Sequence, residues 1–425
     1  MNEAFLHFVW KYQIFNPQLS TTDDQPVEVL QAGRHNTDAG PDFTNARLKI
    51  GATTWAGNVE IHLKASDWYH HNHQNDPAYS NIILHVVFEN DSEILDRNQN
   101  PIPTIELKGM IHEELYKKYF YYINNKLWIP CEKDITQVKP ITIQAWMERL
   151  FVERMERKTG GIHTLYNHNN KSLSDTFYQL LAGNFGFKTN EQPFLMLARY
   201  LPVSVLGKHK NSLFQTEAML YGCAGLLDEE FSDAYPNQLK QEFKFLQSKY
   251  GLAAMQPHLW KFLRLRPTNF PTVRISQFAA LFVKSGNLLS GLMEAASARE
   301  IKTFFDVKAS SYWDDHYNFD KSSNKRTKSL GEAATDILIM NSMVQFMFFY
   351  SKVKGDQSYR DKAIQIMLEL KPEKNHIISK WSEIGIKAKN AFETQALLEL
   401  KNNYCKQKQC LRCSIGTKLL RQTIA

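Results

Sequence analysis

The sequence contains no apolar run long enough to span a bilayer, so no membrane partner is predicted. Its N-terminus lacks the basic start and the apolar stretch of a secretory signal, and a cytoplasmic location is therefore expected. Cysteine is scarce, with 5 residues in 425, and three of the five cluster near the C-terminus. The odd number argues against a disulfide framework and favours reduced thiols or a metal site.

Charge of one sign is not in large excess either. The net charge of +7 is mild for 425 residues, so it is compatible with a polyanionic partner without demanding one. With 43% hydrophobic and 22% charged residues, the composition is that of an ordinary soluble globular protein. The length exceeds what one hydrophobic core usually organises, and two domains are predicted.

The first 125 residues mix helical and extended patterns. Apolar residues at helical spacing predict a helix within residues 3–15, and residues 76–79 indicate a turn into a short helix. Alternating or continuous apolar stretches predict strands over 27–30, 46–50, 59–64, 81–88 and 103–107. Residues 1–125 are therefore expected to form an α/β domain with a mixed sheet.

Helical periodicity dominates the rest of the chain. Residues 126–425 are predicted to form an all-α domain that ends in a cysteine-containing tail. The polar stretch 314–327 is expected to be an exposed loop. The predicted fold class is therefore α+β, with an N-terminal mixed-sheet domain followed by a helical one.

The predicted strand 59–64 carries the most informative pattern in the chain. Glu60, His62 and Lys64 alternate with three aliphatic residues, and residues two apart share one face of a strand. Asp42 lies upstream, at a turn entering an earlier strand. Carboxylates on adjacent strands can hold Mg²⁺ or Mn²⁺ for phosphodiester hydrolysis. Asp42 and Glu60 are therefore the predicted metal ligands, with His62 or Lys64 activating water, although an ordinary exposed strand face has the same alternation.

A histidine-rich stretch over residues 67–76 follows this strand. His and Asp together suit Zn²⁺ or Mn²⁺, and His70 and His73 are predicted to join the same site from the loop. A polar loop that happens to be rich in histidine is the alternative interpretation. His85 lies within an apolar strand, where a hydrogen-bonded core histidine is more common than a ligand.

Pro41-Asp42, a spacer and then Glu60-Ile61-His62 resemble the motifs of the PD-(D/E)XK nuclease superfamily. The predicted helix before these motifs, and the helix and apolar strand after them, also resemble the core of that superfamily. The resemblance implies a metal-dependent nuclease acting on nucleic acid, DNA more than RNA. The third motif residue of that superfamily is usually Lys, at the position of His62. Either Lys64 on the same face substitutes for it, or His62 itself serves.

The wider sequence resembles an uncharacterised bacterial family of unknown function. The resemblance covers nearly the whole chain and implies no established activity. The segments that carry it are 39–43, 57–62, 76–79, 83–87 and 266–271.

Cys405, Cys410 and Cys413 form a C-x4-C-x2-C array in a basic tail. Thiolates at such spacing bind Zn²⁺ or an iron–sulfur cluster, and both normally take four ligands. Cys131 is the candidate fourth ligand. Some nucleases of the resembled superfamily join their two ends through a cluster built from one distant cysteine and three near the C-terminus. Ordinary thiols in a basic tail are the alternative, and Cys223 is expected to be a packed helical residue.

A stretch of the second half interleaves basic and aromatic residues. Such a pattern suits a nucleic-acid groove, by phosphate pairing and base stacking. An ordinary helix with its aromatic residues in the core has the same pattern. The residues are Lys261, Arg264, Arg266 and Arg274 with Trp260, Phe262, Phe270 and Phe278.

These patterns lead to three hypotheses of function. The first is a metal-dependent nuclease, with Asp42, Glu60 and His62 or Lys64 in its site. The second, from a different class, is a non-catalytic nucleic-acid-binding or scaffold protein that keeps a nuclease-like fold. The third is a hydrolase of another kind that uses the histidine stretch with Zn²⁺.

Overall fold

The computed structural model describes residues 1–423 and divides the chain into two units. The first comprises Met1–Trp146 and the described part of Leu400–Ala425, and the second comprises Met147–Glu399. The sequence-based boundary at 125/126 places residues 126–146 and the tail in the helical domain instead. They join the first unit because the tail folds back, and its helix Ser414–Arg421 packs against the helix Glu113–Asn124.

The first unit is built on a sheet, with helices before and after it. Asn2 caps the first helix, and its side chain accepts a hydrogen bond from the Phe5 N–H. The elements are α1 (Glu3–Lys11), β1 (Leu19–Ser20), β2 (Pro26–Gln31), β3 (Arg34–His35), β4 (Phe43–Ile50), β5 (Thr53–Lys64), α2 (Asp67–His70), β6 (Ile82–Glu89), β7 (Thr104–Glu106) and α3 (Glu113–Asn124).

The sheet is mixed, as the sequence predicted. Its strand order is β1-β2-β4-β5-β6-β7, with β3 paired to β4. The strands from β1 to β5 pair antiparallel, and a tight turn at Gly51, where φ is +58°, joins β4 to β5. β5, β6 and β7 pair parallel, because the chain crosses over between them. The five predicted strands are present, whereas β1 and β3 were missed because two residues give no periodicity.

Both faces of β5 are buried at its C-terminal half. Val59 and Ile61 are buried, as expected, but Glu60 and His62 on the opposite face are only 5% and 2% exposed. The alternation alone suggested a solvated polar face. β5 is instead a central strand that pairs with β4 and β6 and packs against α1 and α2. Its ionisable residues therefore need partners inside the protein.

The second unit is helical apart from one small hairpin. None of the helices in the described chain is long and apolar enough to cross a membrane. The helices that follow α3, the first of which begins in the first unit, are α4 (Pro140–His168), α5 (Leu173–Phe185), α6 (Phe187–Tyr200), α7 (Val203–Leu206), α8 (Leu213–Cys223), α9 (Ala234–Tyr250), α10 (Pro271–Ser285), α11 (Leu288–Glu294), α12 (Ala298–Phe305), α13 (Glu332–Leu338), α14 (Gln345–Lys354), α15 (Ser358–Glu369), α16 (His376–Glu383), α17 (Ala391–Glu399) and, in the tail, α18 (Ser414–Arg421).

The hairpin corrects the prediction of a loop over residues 314–327. β8 (His316–Asn318) and β9 (Lys321–Ser322) pair antiparallel within this stretch. Asp320 at the turn has φ of +58°, the left-handed conformation that short hairpin turns require and that Asp tolerates. The strands are so short and polar that no alternation could have predicted them.

Candidate metal centre

Glu60, His62 and His85 lie on one face of the sheet. Glu60 and His62 are two residues apart on β5, so their side chains point to the same side. Glu60 is aligned with His85 in the parallel register of β5 and β6. The His62 Nδ1 atom lies 2.8 Å from the His85 Nε2 atom. Strand pairing thus fixes a buried carboxyl group and two imidazoles next to one another.

His71 and His73 reach the same face from the segment that follows α2. Asn72 between them has φ of +62°, the left-handed conformation that Asn adopts more readily than most residues after a helix end. The ring of His73 stacks on Tyr79 at a centroid distance of 3.8 Å. One ligand nitrogen from each of His62, His71 and His73 lies within 4.8 Å of the other two.

The spacing of the donor atoms suits a single ion. The His62 Nε2 atom is 3.1 Å from the His71 Nδ1 atom and 3.7 Å from the Glu60 Oε1 atom. The Glu60 Oε1 atom is 3.4 Å from the His73 Nε2 atom. Around tetrahedral Zn²⁺, bonds of about 2.0–2.1 Å place neighbouring ligand atoms about 3.3 Å apart. His62, His71 and His73 therefore form the group of donor atoms that one such ion could bind, and the Glu60 carboxyl group lies beside it, next to His62 and His73.

Burial sets the protonation of these groups. Burial, reinforced by the nearby Asp42 carboxylate, raises the pKa of Glu60 to about 9. Burial, reinforced by His73 and His71, lowers the pKa of His62 to about 4. Burial likewise lowers the pKa of His73 and holds that of His85 well below its usual value. The imidazoles of His62, His73 and His85 are thus neutral at pH 7, the form that binds metals, whereas Glu60 stays protonated until a cation is near.

Two buried nitrogen atoms of this cluster have no hydrogen-bond partner in the described chain. The His73 Nε2 atom and the His85 Nδ1 atom are buried, and neither has a hydrogen-bond partner within the described chain. Buried polar atoms are paired in the great majority of cases, and exceptions often mark an ion or water site. The His73 nitrogen faces the Glu60 carboxyl group, where an ion bound between them would satisfy both.

Asp42 lies beside this group and is held by the backbone. Its N–H donates to the Glu60 Oε2 atom at 3.1 Å, and its Oδ2 atom accepts from the Ile61 N–H at 3.0 Å. The His7 Nε2 atom, from α1, lies 3.1 Å from the same Oδ2 atom. The structure thus brings the two predicted carboxylates together, but Asp42 contacts His7 and a backbone amide, whereas Glu60 faces the histidines.

Two of the predicted site residues lie elsewhere. Lys64 is exposed at the last position of β5, and its Nζ atom is 4.0 Å from the Asp91 Oδ2 atom. The His70 side chain is 72% exposed and contacts Asp67 on the same short helix. Lys64 extends past the part of β5 that α2 covers, and His70 ends a single helical turn that directs it outward.

His7 and His71 are the members of the cluster that the sequence did not identify. His71 is adjacent to the predicted His70, whose side chain is exposed, and Asn72 between His71 and His73 has the left-handed conformation. Asn after a short polar helix is a weak signal for that turn. His7 lies in α1, and no local pattern relates it to Asp42, 35 positions later in the chain.

The four predicted cysteine ligands meet in the first unit. Cys131, Cys405, Cys410 and Cys413 line one small cavity, together with Pro130, Tyr404, Gln409 and Gly416. Burial raises the pKa of each of the four thiols. Cys223 is fully buried at the end of α8 in the second unit, as predicted.

The basic and aromatic stretch does not form an open stacking surface. Trp260 and Phe278 are buried, and the Trp260 indole N–H donates to the Ala224 carbonyl at 2.8 Å. Arg274 is buried as well, with its guanidinium 4.6 Å from the centre of the Phe187 ring. Burial lowers the pKa of Arg274 to about 10. Trp260, Phe278 and Arg274 are therefore core residues, whereas Lys261, Arg264 and Arg266 are exposed and Phe262 and Phe270 are half-buried.

Comparison with known proteins identifies the chain by family. No curated protein and no solved structure matches it. A family model described as "Protein of unknown function (DUF2851)" matches residues 3–376, a span that contains the complete histidine cluster and ends before the C-terminal cysteines. The chain therefore belongs to this family of unknown function.

Proposed function

We propose that this protein is a divalent-metal-dependent hydrolase that cleaves phosphodiester bonds in nucleic acid. The observation that carries the proposal is the convergence of Glu60, His62, His71 and His73. Their donor atoms are 3.1–3.7 Å apart in the three measured pairs, on a rigid strand and an adjoining turn. A buried carboxyl group facing neutral imidazoles is costly in a purely structural role. Cation binding accounts for that cost.

The donor set favours Zn²⁺ or a similar transition metal over Mg²⁺. Imidazole nitrogens suit zinc, whereas Mg²⁺ prefers oxygen ligands and keeps much of its hydration. The sequence-based expectation of Mg²⁺ or Mn²⁺ assumed a site made of Asp42 and Glu60. A divalent ion held in this site would polarise a phosphoryl oxygen and lower the pKa of a water molecule.

His7 and Asp42 supply the groups that can move a proton. Asp42 is fixed by the Ile61 N–H, and its Oδ2 atom lies 3.1 Å from the His7 Nε2 atom. The His7 Nε2 atom is buried and makes no hydrogen bond in the described chain, so Asp42 acts on this ring through its charge. The side chains of His7 and Asp42 are 20% and 22% exposed, although the His7 Nε2 atom itself is buried. His7 is therefore assigned the role of general acid or base, and Asp42 that of its positioning residue.

Two features support a phosphodiester as the substrate. Asp42 and Glu60, the two carboxylates of the motifs that resemble the PD-(D/E)XK superfamily, lie in contact through the Asp42 N–H. The elements around them follow the order expected from that resemblance: α1, the antiparallel strands β2, β4 and β5, the short helix α2, and the parallel strand β6. Nucleic acid is thus the first substrate class to test.

The test incubates the full chain with single- and double-stranded DNA and RNA in the presence of Zn²⁺, Mn²⁺ or Mg²⁺. Cleavage should require the metal and should be lost in Glu60→Gln and His73→Ala. His70→Ala is the matched control, because His70 lies in the same segment and points to solvent. His7→Ala should lower kcat and leave Zn²⁺ affinity unchanged, since His7 is not among the four donors.

The proposal fails if no nucleic acid is cleaved with any of the metals, or if Glu60→Gln leaves cleavage intact. Salt-sensitive binding without turnover, unaffected by a chelator, would instead indicate the non-catalytic nucleic-acid-binding alternative. Stoichiometric Zn²⁺ that depends on His73, combined with hydrolysis of other ester substrates only, would retain the metal centre and reject nucleic acid.

A further inference from the structure

A groove between helices of the second unit takes no part in the proposed hydrolysis. It is lined by the C-terminal half of α4, by α5 and α6, and by the first residue of α14, and its volume is about 320 Å³. That volume lies at the lower end of the range of small-molecule sites. Every described residue that lines the groove belongs to Met147–Glu399, so the site is complete within one unit.

A lysine without an acidic partner lies in this groove. The Lys158 Nζ atom donates to the Asn341 Oδ1 atom at 3.2 Å, and no ion pair within the described chain includes this amine. Burial, reinforced by Arg154 and Arg157, lowers the pKa of Lys158 to about 8. Nearby carboxylates act in the opposite direction, and each contributes less. A partly buried ammonium group without a carboxylate is costly, and a bound anion removes that cost.

A π-helical turn fixes the position of this lysine. Residues Ile339–Val344 form the turn, between α13 and α14, and such turns are rare and occur frequently at functional sites. The Asn341 side chain accepts hydrogen bonds from Lys158 and, at 3.1 Å, from the Gln345 Nε2 atom. The Asn341 carbonyl accepts from the Asn184 Nδ2 atom at 3.2 Å. Three polar side chains that line the groove are thus held in place by the protein itself.

A buried acceptor in the groove also lacks a partner. Gln179 lines the groove from α5, and its Nε2 atom donates to the Asn169 Oδ1 atom at 3.0 Å. The Gln179 Oε1 atom is buried and has no hydrogen-bond partner within residues 1–423. Buried polar atoms are paired in the great majority of cases, and exceptions often mark a ligand or water site. An N–H or O–H group of a ligand would satisfy this oxygen.

The other walls of the groove indicate the class of ligand. Arg199 supplies a second cation, and Glu191 is the one carboxylate among the described lining residues. Cations bind phosphate, whereas a carboxylate accepts hydrogen bonds from ribose hydroxyl groups. Apolar side chains from α4, α5 and α6 suit the faces of a nucleobase. They are Ile162, Leu165, Leu180 and Leu195. A nucleoside monophosphate has a group that complements each of these walls.

We propose that the groove between α4, α5 and α6 binds a nucleoside monophosphate. The phosphate lies against Lys158, the ribose against Glu191, and an N–H group of the base donates to Gln179. The base itself packs between the apolar walls. Binding here uses none of the residues of the histidine cluster and needs no metal, so the proposal does not rest on hydrolysis by the first unit.

The experiment measures binding of the four common ribonucleoside monophosphates to the full chain by calorimetry. A chelator is present throughout, so that no metal at the histidine cluster binds the phosphate. At least one of the four should bind at one site per chain. The same nucleoside without its phosphate should bind at least about tenfold more weakly, and Lys158→Ala should lower the affinity for the nucleotide about 10–100-fold, because each loses a charge-assisted hydrogen bond.

Two neighbouring glycines provide a matched pair of variants. Gly161 lines the groove and Gly160 does not, and a Cβ atom at either position would meet no atom within 4 Å. Both lie within α4, where leucine is a better helix former than glycine, so both variants should fold. Gly161→Leu should crowd the groove and lower the affinity about tenfold or more. Gly160→Leu should leave the affinity unchanged.

The proposal is overturned if none of the four nucleotides binds at millimolar concentration, or if the unphosphorylated nucleoside binds as tightly. Equal effects of Gly161→Leu and Gly160→Leu would overturn it as well. Inorganic phosphate that binds as tightly as the nucleotide would also reject it, because the apolar walls and Gln179 would then contribute nothing. The pair of glycine variants decides the question even if Lys158→Ala fails to fold, and every outcome is independent of hydrolytic activity.

Discussion

His85 offers the most direct test of how the candidate metal centre is built. For the His62 Nε2 atom to bind an ion, the proton of this neutral imidazole must sit on Nδ1, which lies 2.8 Å from the His85 Nε2 atom. His85 is fully buried and faces Trp68 at a ring-centroid distance of 5.7 Å. Replacing it with Phe keeps the ring-sized volume and removes the acceptor.

The magnitude follows from the cost of an unpaired buried donor. Without an ion, His62 can place its proton on Nε2, toward the His71 Nδ1 atom at 3.1 Å. Ion binding forces the proton onto Nδ1, where His85→Phe leaves it unpaired at a cost of about 1–3 kcal/mol. Each 1.4 kcal/mol is about tenfold in affinity. In the wild type, His85 accepts through Nε2 and carries its own proton on Nδ1, which has no partner in the described chain, so part of this cost is already present. We therefore expect Zn²⁺ affinity to fall about 3–10-fold.

The assay is competition for Zn²⁺ against a chromophoric chelator of known affinity, at pH 7. His85→Gln is the conservative variant, because its side-chain amide can return a polar acceptor near the position of Nε2. It should recover part of the lost affinity. Unchanged affinity in His85→Phe would show that His62 is not a ligand through Nε2. An equal loss in His85→Gln would show that packing, and not the hydrogen bond, is responsible.

Three further predictions concern Lys64, the release of a proton on Zn²⁺ binding, and Arg274. Lys64→Ala should leave Zn²⁺ affinity and hydrolysis unchanged. The free energy of unfolding should change by less than about 1 kcal/mol, because the Lys64 side chain is exposed and its contact with Asp91 is long, at 4.0 Å. A large loss of cleavage would show that Lys64 belongs to the site. Zn²⁺ binding at pH 7 should release about one proton, because the pKa of Glu60 is about 9 and that of His62 about 4. Affinity should therefore rise with pH up to about 9, and calorimetry in two buffers of different ionisation enthalpy should show no release in Glu60→Gln. Arg274→Ala should lower the free energy of unfolding by about 3 kcal/mol in urea titrations, because the buried guanidinium donates hydrogen bonds to Gln277 and Asn269. The affinity for nucleic acid should stay the same.

The histidines show most clearly which features a local sequence pattern can predict and which depend on tertiary contacts. The alternation on β5 correctly paired Glu60 with His62, because the two-residue period of a strand is a local property. His70 was chosen over His71 because a loop has no period, and one left-handed residue, Asn72, decides which ring turns inward. The structure also changes the interpretation of the β5 pattern, because the face that carries Glu60 and His62 is buried and not solvated. Burial of both faces depends on β6, α1 and α2, none of which is visible in a six-residue window.

The cysteines and the domain boundary also differ in how much the sequence could predict. Residue type and spacing predicted a ligand array at C-x4-C-x2-C with Cys131 as a fourth member, and the structure places all four cysteines around one cavity. The domain boundary was less accessible, because composition cannot show that the tail folds back onto α3.

The sequence by itself determined five strands of the first unit, the helical character of the second, the residue types of the candidate site and the absence of an apolar run that could span a membrane. These properties depend on residue type and on periods of two or 3.6 residues, which the chain displays locally. Tertiary structure alone decided that His7 meets Asp42, that His71 and His73 face Glu60, and that the tail belongs to the first unit. Such contacts join residues far apart in the chain, and they are selected by the packing of the whole core.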